Sequence, residues 1–339
     1  MHITELAPSG WDDRLAFPML STSFARAART MGLRALYATD DIGRALVLVR
    51  SVPVPIVRRW TTRAKVYVDA RQPGFVTELV DVLRARGVSY ARLGDAAWGL
   101  PASAGTCRGM VTITTHLMTF DGTLDEAKAL ARMAPKTRWQ LRSAQSENVT
   151  VDEVRDERGL DAFCGLVAET GARMRARDVA AAIPETFYRA VFDDMVRRGE
   201  AILLLASAGE TPLAGGLFFL SPDRMSYYHG ASTRDRALTA LNGPTALFWH
   251  AMRVAHARGI PSFDLGATTP TNDPAHPHHS VYHFKRGFGG ELTELRSGEV
   301  VLSPAKCRFQ QHVMLPIWKR MYPLYLTLVG RRALAAHAE

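Results

Sequence analysis

A ten-residue stretch that occurs twice constrains this chain more than any other feature. Ala85-Arg-Gly-Val-Ser-Tyr-Ala-Arg-Leu-Gly94 returns as Ala257-Arg-Gly-Ile-Pro-Ser-Phe-Asp-Leu-Gly266. Upstream the match runs on without a gap. Phe75, Val76, Leu79, Val80, Val82 and Leu83 correspond to Leu247, Phe248, Ala251, Met252, Val254 and Ala255. Both sets are apolar at helical spacing. Each copy predicts an amphipathic helix that ends at a glycine, Gly87 or Gly259, where freedom to take a positive φ suits a C-cap. A short strand closing on Leu-Gly follows. A helix that returns directly to a strand is α/β logic, and two copies of it mark a duplicated unit.

The second copy shows more of its unit. Ala201–Ala206, Pro212–Leu220 and Arg224–Ala231 read as three consecutive strands separated by turn residues. Pro244 stands in the first turn of the next helix, with Asn242 as its candidate cap. The order strand, strand, strand, helix, strand is that of an N-acyltransferase core. Between the copies, Thr123–Met133 continues toward Ser146 as a basic helical stretch, and Leu160–Arg177 and Pro184–Gly199 read as helices. The expected fold class is α/β (α+β), with mixed sheets flanked by helices. The expected units are residues 1–150 and 151–302, divided near Asn148–Asp152, followed by a helical tail over 303–339. No sustained heptad run calls for a coiled-coil arm.

Of the 339 residues 47% are hydrophobic, ample material for two packed units. The net charge of +9 has two readings: an anionic partner, whether nucleic acid, phosphorylated molecule or membrane face, and a basic surface tuned for solubility. Cys107, Cys164 and Cys307 are odd in number and widely spaced. They support neither a zinc knuckle nor a redox pair, and fit a reducing compartment. The first residues do not read as a secretory signal, and no apolar run approaches bilayer length. The expected location is cytoplasmic, at most peripheral at the inner membrane face.

Toward the C-terminus stands Tyr282-His-Phe-Lys285-Arg-Gly-Phe288-Gly-Gly290, beyond the strand Phe263-Asp-Leu-Gly266; Pro135-Lys-Thr-Arg-Trp-Gln-Leu-Arg142 lies between the copies. In these residues the chain resembles the Fem-like aminoacyltransferases, whose signature is Tyr-x-Phe-Lys-x-x-Phe. The resemblance implies two tandem GNAT-like acyltransferase domains joined by a basic helix. It implies transfer of an amino acid from aminoacyl-tRNA to an amine of a peptidoglycan precursor or a peptide-like metabolite, with no cofactor. The alternative activity on the same fold is N-acyl transfer from acyl-CoA or an acyl carrier.

Such a transfer passes through a tetrahedral intermediate bearing an oxyanion, which a fixed positive charge or donor pair stabilises. On the resemblance, Lys285 is the catalytic candidate; its ammonium also suits a phosphate or ribose at a tRNA 3′ end. Tyr282, Phe284 and Phe288 would wall the site. The other reading makes Lys285 an exposed strand residue over core aromatics. No dedicated base stands out, because the attacking amine has only to be neutral and the ester is already activated. Asp264 either orients a substrate group or serves as a hydrogen-bond acceptor at its strand end. Lys136, Arg138 and Arg142 are the tRNA phosphate candidates, the two arginines one turn apart, with Trp139 for stacking. A solvated basic face is the competing reading.

On the acceptor side the resemblance points to Arg26, Phe187, Tyr188, Tyr228 and His229. Arg26 stands where relatives place a lysine, Ile183 where they place an arginine, and Phe187 and His229 where they place tyrosines. These departures leave the fold reading intact and favour an amine other than a nucleotide-linked muropeptide. His276, His278, His279 and His283 lie among Pro274 and Pro277 and read as a loop over the acceptor site rather than as metal ligands. Where coenzyme A enzymes carry a glycine-rich pyrophosphate loop, this chain has Ala240-Leu-Asn-Gly243-Pro-Thr-Ala246, which lacks the pattern and, at Pro244, a donor amide. The tail His312–Arg332 mixes aromatic, aliphatic and basic residues. A peripheral membrane contact and a helix packed on the first domain are both open.

Overall fold

The computed structural model describes residues 1–52, 61–94, 98–176, 183–309 and 312–313. The tail read above as a membrane contact or a packed helix lies outside the described residues beyond Val313. The first half runs β1 (His2–Thr4), α1 (Thr22–Thr30), β2 (Arg34–Asp40), β3 (Gly43–Val52), β4 (Thr61–Ala70), α2 (Gly74–Ala85), β5 (Tyr90–Leu93) and β6 (Met110–Asp121). Two helices, α3 (Glu126–Arg132) and α4 (Pro135–Ser146), lead onward. The second half runs β7 (Val149–Glu153), α5 (Glu157–Ala176), α6 (Glu185–Val191), β8 (Ala201–Ala208), β9 (Thr211–Leu220), β10 (Arg224–Ser232), α7 (Arg236–Thr239), α8 (Gly243–Ala257), β11 (Ser262–Thr268), α9 (His279–Arg286), β12 (Glu291–Val301) and α10 (Pro304–Phe309). The helix expected over Pro184–Gly199 is interrupted, because α6 gives way to a π turn at Phe192–Val196.

The duplication holds in backbone geometry. At the end of α2, Val88 N donates to the Leu83 carbonyl (3.1 Å) and Gly87 N to that of Arg84 (3.0 Å). At the end of α8, Ile260 N donates to Ala255 (3.0 Å) and Gly259 N to His256 (2.9 Å). Both are Schellman caps, and they need the positive φ that Gly87 (79°) and Gly259 (64°) supply. The apolar spacing is borne out as well: Phe75, Val76, Leu79, Val80 and Leu83 are buried on α2, and Leu247, Phe248, Ala251 and Ala255 on α8. Asn242 departs from expectation. It precedes α8 at φ 58° without a side-chain cap; its amide instead donates to Ala240 O (2.9 Å) and Ser143 Oγ (3.3 Å).

The two halves share one twelve-stranded sheet, in the order β1-β2-β3-β4-β5-β12-β6-β11-β10-β9-β8-β7. Its parallel pairs are β4 with β5 and β10 with β11, the strands flanking α2 and α8; the other ladders are antiparallel. A parallel pair needs a crossover helix, which is what the repeat encodes. The two halves exchange their last strands. β6 leaves the first half to pair with β11, and β12 leaves the second to pair with β5. β6 and β12 then pair with each other over Met110–Thr119 and Glu291–Val300, closing the sheet at its centre.

Three apolar clusters hold this sheet. One lies between α2 and β2–β5, built on Phe75, Leu79 and Val66. A second lies between α8 and β8–β11, built on Phe218, Phe248 and Phe263. The third joins the halves, with Phe24 of α1 against Phe187 of α6 (centroids 6.2 Å) and Tyr67 of β4 (5.4 Å). Among the described residues, no helix is long and apolar enough to cross a membrane.

The Phe288-Gly-Gly290 turn shows how tightly α9 is seated. Gly289 sits at φ 81°, and a Cβ there would overlap the Arg132 carbonyl. Gly287 O accepts from Ala134 N (2.8 Å) at the α3–α4 junction. Gly289→Ala would meet backbone strain and a clash with unyielding main chain together. The expected loss is about 2–4 kcal/mol, read as a lower urea midpoint at unchanged m-value.

Candidate active site

The site begins where a ladder stops. β10 and β11 pair only at Arg224–Ser262, Met225–Phe263 and Ser226–Asp264. Just beyond, β10 shifts register against β9 between Tyr227 and His229, and β11 shifts against β6 between Asp264 and Ala267. Such irregularities re-aim a strand and leave backbone groups without a ladder partner. The turn at Gly266 has φ 75°, and a Cβ there would come within 3.0 Å of the Tyr227 carbonyl, so only glycine fits the fork.

Lys285 fills that fork. It projects from α9, is 6% exposed, and donates from Nζ to the carbonyls of Gly266 (3.0 Å) and Ala267 (2.7 Å). The Tyr227 ring centroid lies 5.9 Å from Nζ. An ammonium has three donors, so one remains for a ligand. Burial pushes the Lys285 pKa down to about 8, opposed by the charge of Asp264. The exposed-strand reading of Lys285 is therefore overturned: it is a buried cation on a helix.

Asp264 is fully buried. Ser226 Oγ donates to its Oδ2, and Gly266 N to its Oδ1 (2.7 Å). Burial pushes its carboxyl up to about 6, against the hydrogen bond from Ser226 and the charge of Arg224. Asp264 thus has no surface to offer a substrate. It fixes the Gly266 turn whose carbonyl Lys285 holds. Ser226, which sequence reasoning missed, completes this support; its signal lies in cross-strand pairing with Asp264, and a single strand does not display its partners.

A cleft of about 530 Å³ opens at Lys285, walled by Tyr227, Phe248, Phe284, Thr245 and Gln140. Tyr227 and Phe284 both pack on Phe248, at centroid distances of 4.9 and 5.7 Å. Phe288 is core beneath them, and Tyr282 packs beside His283 (5.4 Å) without lining the cleft. The first turn of α8 also borders the cleft, and two of its amides are engaged by the residue before the helix. Thr245 N and Ala246 N both donate to Asn242 O (2.9 and 3.2 Å), and Pro244 has none. That turn is a poor pyrophosphate cradle.

The first half keeps the frame without the chemistry. At the register of Ser226 and Asp264, β4 and β5 carry Lys65 and Arg92. The segment after β5 folds back over its own half: Ala104 is fully buried, and Ser103 Oγ donates to Ala70 O (2.5 Å). The corresponding segment after β11 is the histidine-rich stretch leading to α9.

The remaining candidates divide. On α4, Arg138 donates from Nη1 to the carbonyls of Leu130, Ala131 and Met133 (3.3, 3.3 and 2.7 Å), capping α3. Arg142 shares the Arg138 flank and lines a small hollow of about 240 Å³ against α8. Lys136 is exposed and lies one turn before Gln140 of the cleft wall, on the other flank. The structure therefore separates Lys136 from the two arginines. Trp139, 60% exposed, stands between the flanks. On the acceptor side the fold brings the residues together but buries two of them. Phe187 (0% exposed) and Tyr188 (2%) are core. Tyr188 Oη lies 2.9 Å from His229 Nδ1, Phe187 packs on Tyr228 (6.0 Å), and burial pulls the His229 pKa down. Arg26 forms a two-pronged ion pair with Asp194 of the π turn (2.9 and 3.1 Å), tying the halves together. His279 and His283 lie on α9 rather than in a loop, their rings 4.2 Å apart. Among the described residues no group of three or more histidine, cysteine or acidic side chains is placed to hold a metal.

Comparison with known proteins agrees with this geometry. Residues 134–286 match the family model of the acetyltransferase (GNAT) domain. No curated protein matches the chain by sequence. By structure it is similar to FemX (TM-score 0.65, 15% identity, 92% of this chain and 100% of that one). It is also similar to the C-terminal domain of a putative lysylphosphatidylglycerol synthetase from Agrobacterium fabrum (TM-score 0.55, 12%, 85% and 92%). A third likeness is to a conserved protein of unknown function from Bacteroides thetaiotaomicron VPI-5482 (TM-score 0.56, 7%, 88% and 98%). The chain thus has the Fem-like double-GNAT fold, with the GNAT-domain match over residues 134–286.

Proposed function

We propose that the chain moves an amino acid from aminoacyl-tRNA to an amine of a peptidoglycan precursor or a peptide-like metabolite, and does so in the cytoplasm. One observation carries the reading: a lysine ammonium fixed by two backbone carbonyls at the end of an aromatic cleft, with a third donor unassigned. Likeness to FemX and to the lysylphosphatidylglycerol synthetase domain supports aminoacyl rather than acetyl transfer. The proline in the first turn of α8, which offers no amide, supports it too.

The ester lies in the cleft with its carbonyl oxygen at Lys285. The neutral amine attacks the carbonyl carbon, a C–N bond forms, and the π electrons move to oxygen, where Lys285 donates a hydrogen bond. Collapse breaks the C–O bond to ribose. The leaving oxygen takes up the proton that the amine gives up. No protein base is required, and Asp264 is not one, since its oxygens are engaged by Ser226 and Gly266. Trp139 and Lys136 offer stacking and charge on the exposed side of α4.

A donor screen tests this. Purified protein is expected to transfer label from charged tRNA to an amine, with Trp139→Ala raising the KM for charged tRNA about tenfold or more. Failure of all twenty charged tRNAs, together with saturable use of an acyl-CoA, would replace this reading with N-acyl transfer.

A further inference from the structure

Like charges face each other on the bare side of the first half's sheet. Arg50 of β3 stands directly opposite Arg63 of β4, and Lys65 of β4 stands beside Arg92 of β5. All four lie on the face opposite α2, because their strand neighbours Val49, Ala64, Val66, Ala91 and Leu93 point into the cluster under that helix. Arg50 and Arg63 are exposed, and Lys65 and Arg92 are half-buried. The Arg63 guanidinium lies 4.3 Å from the Tyr90 ring centroid. Among the described residues, none of Arg50, Arg63 and Arg92 forms an ion pair. The neighbouring carboxylate, Glu299 opposite Arg92, is engaged by the Tyr90 phenol. Like charges directly across a ladder destabilise a sheet, so this arrangement weakens the fold unless an anion lies across it. The four cations span three strands, about 10 Å, and two rungs, about 7 Å. That spread suits a row of phosphates rather than one.

We infer that this face binds the phosphate backbone of the donor tRNA's base-paired stem while the 3′ end lies in the Lys285 cleft, an inference that rests on the aminoacyl-tRNA reading above. The spacing fits. Lys285 holds Ala267, which pairs with Leu117 of β6, whereas Arg92 pairs with Glu299 and so stands level with Val111 of β6. Six residues along β6 and the three strand spacings from β11 to β5 separate the two places by about 25 Å. The nucleotide that carries the ester cannot span that distance, and a paired stem behind it can. A membrane fits the face less well. The exposed apolar residues next in the ladder, Val301 and Val111, are short, and anchoring in lipid takes Leu, Phe or Trp.

The test compares the full chain with the double variant Arg50→Gln/Arg63→Gln, which removes both exposed cations. Binding of uncharged tRNA is followed by fluorescence anisotropy between about 50 and 200 mM salt. The variant is expected to bind about tenfold more weakly, with the slope of log Kd against log salt shallower by about 2. Its Tm should be unchanged or raised, because a like-charged pair is gone. In transfer assays its KM for charged tRNA should rise about tenfold at unchanged kcat. A short aminoacylated oligonucleotide ending in CCA, which has no stem, should keep its KM. Equal affinity and equal slope in the two proteins overturn the proposal. So does a KM that rises equally for the oligonucleotide, and so does a Tm loss of several degrees, which would make the pair serve the fold. Loss of binding to phosphatidylglycerol vesicles with tRNA binding kept would give the face to a membrane and overturn it as well. If charged tRNAs fail as donors while tRNA binding that depends on Arg50 and Arg63 persists, the donor reading falls and the RNA face stands. If tRNA-dependent transfer by the variant keeps the wild-type KM for charged tRNA, the face falls and the donor reading stands.

Discussion

Replacing Lys285 with methionine is expected to lower single-turnover transfer by a hundredfold or more, the usual consequence of removing an oxyanion donor from a water-poor site. Methionine keeps the unbranched length and most of the volume, so the aromatic walls stay in place. The fold cost is bounded from both sides. The Gly266 and Ala267 carbonyls lose their donor, which costs about 1–3 kcal/mol. Against this, a buried charge disappears, and its desolvation cost with it. The variant should therefore remain folded by circular dichroism and retain binding of charged tRNA within a few-fold. A kcat loss with little change in KM would place Lys285 in the transition state rather than in ground-state binding. A variant that transfers at the wild-type rate would remove Lys285 from the chemistry.

Several elements of this picture were legible in the sequence for a local reason. The Schellman caps at Gly87 and Gly259 and the apolar faces of α2 and α8 depend on residues within two turns of each other, so the duplicated helix–strand unit announces itself. The exchange of β6 and β12 does not, because ladder partners such as Leu292 and Met118 lie far apart in the chain and nothing in either strand names the other. Lys285 is intermediate. Val281, Phe284, Lys285 and Phe288 stand at i, i+3, i+4 and i+7, the spacing of one helical face, which would have placed the lysine among apolar residues. Pro274 and Pro277 favour a loop over the histidines just before it, and the helix begins only at His279. Arg138 shows the opposite limit. Its spacing from Arg142 is real, but its guanidinium is occupied by the end of α3, a demand visible only once two helices meet.

Transfer should fall as pH rises above about 8, by about tenfold per unit once Lys285 is mostly neutral. This sign separates the enzyme from its substrate, because deprotonation of an acceptor amine alone would make the rate climb over the same range. It also separates chemistry from unfolding. Lys285 has a folded pKa below its unfolded value, so its burial penalises the fold at neutral pH and that penalty is relieved as pH rises through about 8 toward 10.5. Measured against Lys285→Met, wild type should gain stability between pH 8 and 9.5 while it loses activity. Asp264 sharpens the test. Its carboxylate is the charge that opposes desolvation at Lys285. Asp264→Asn keeps an oxygen for Gly266 N and can donate to Ser226, so the turn survives while the charge is lost. The alkaline limb of kcat/KM should then move to lower pH. Asp264 itself has a folded pKa raised to about 6, so its contribution to stability is present in acid and lost as pH rises through 6. Asp264→Asn should remove that loss, leaving a variant whose stability no longer falls between pH 3.8 and about 6. A limb that stays in place in Asp264→Asn would mean that another group sets it.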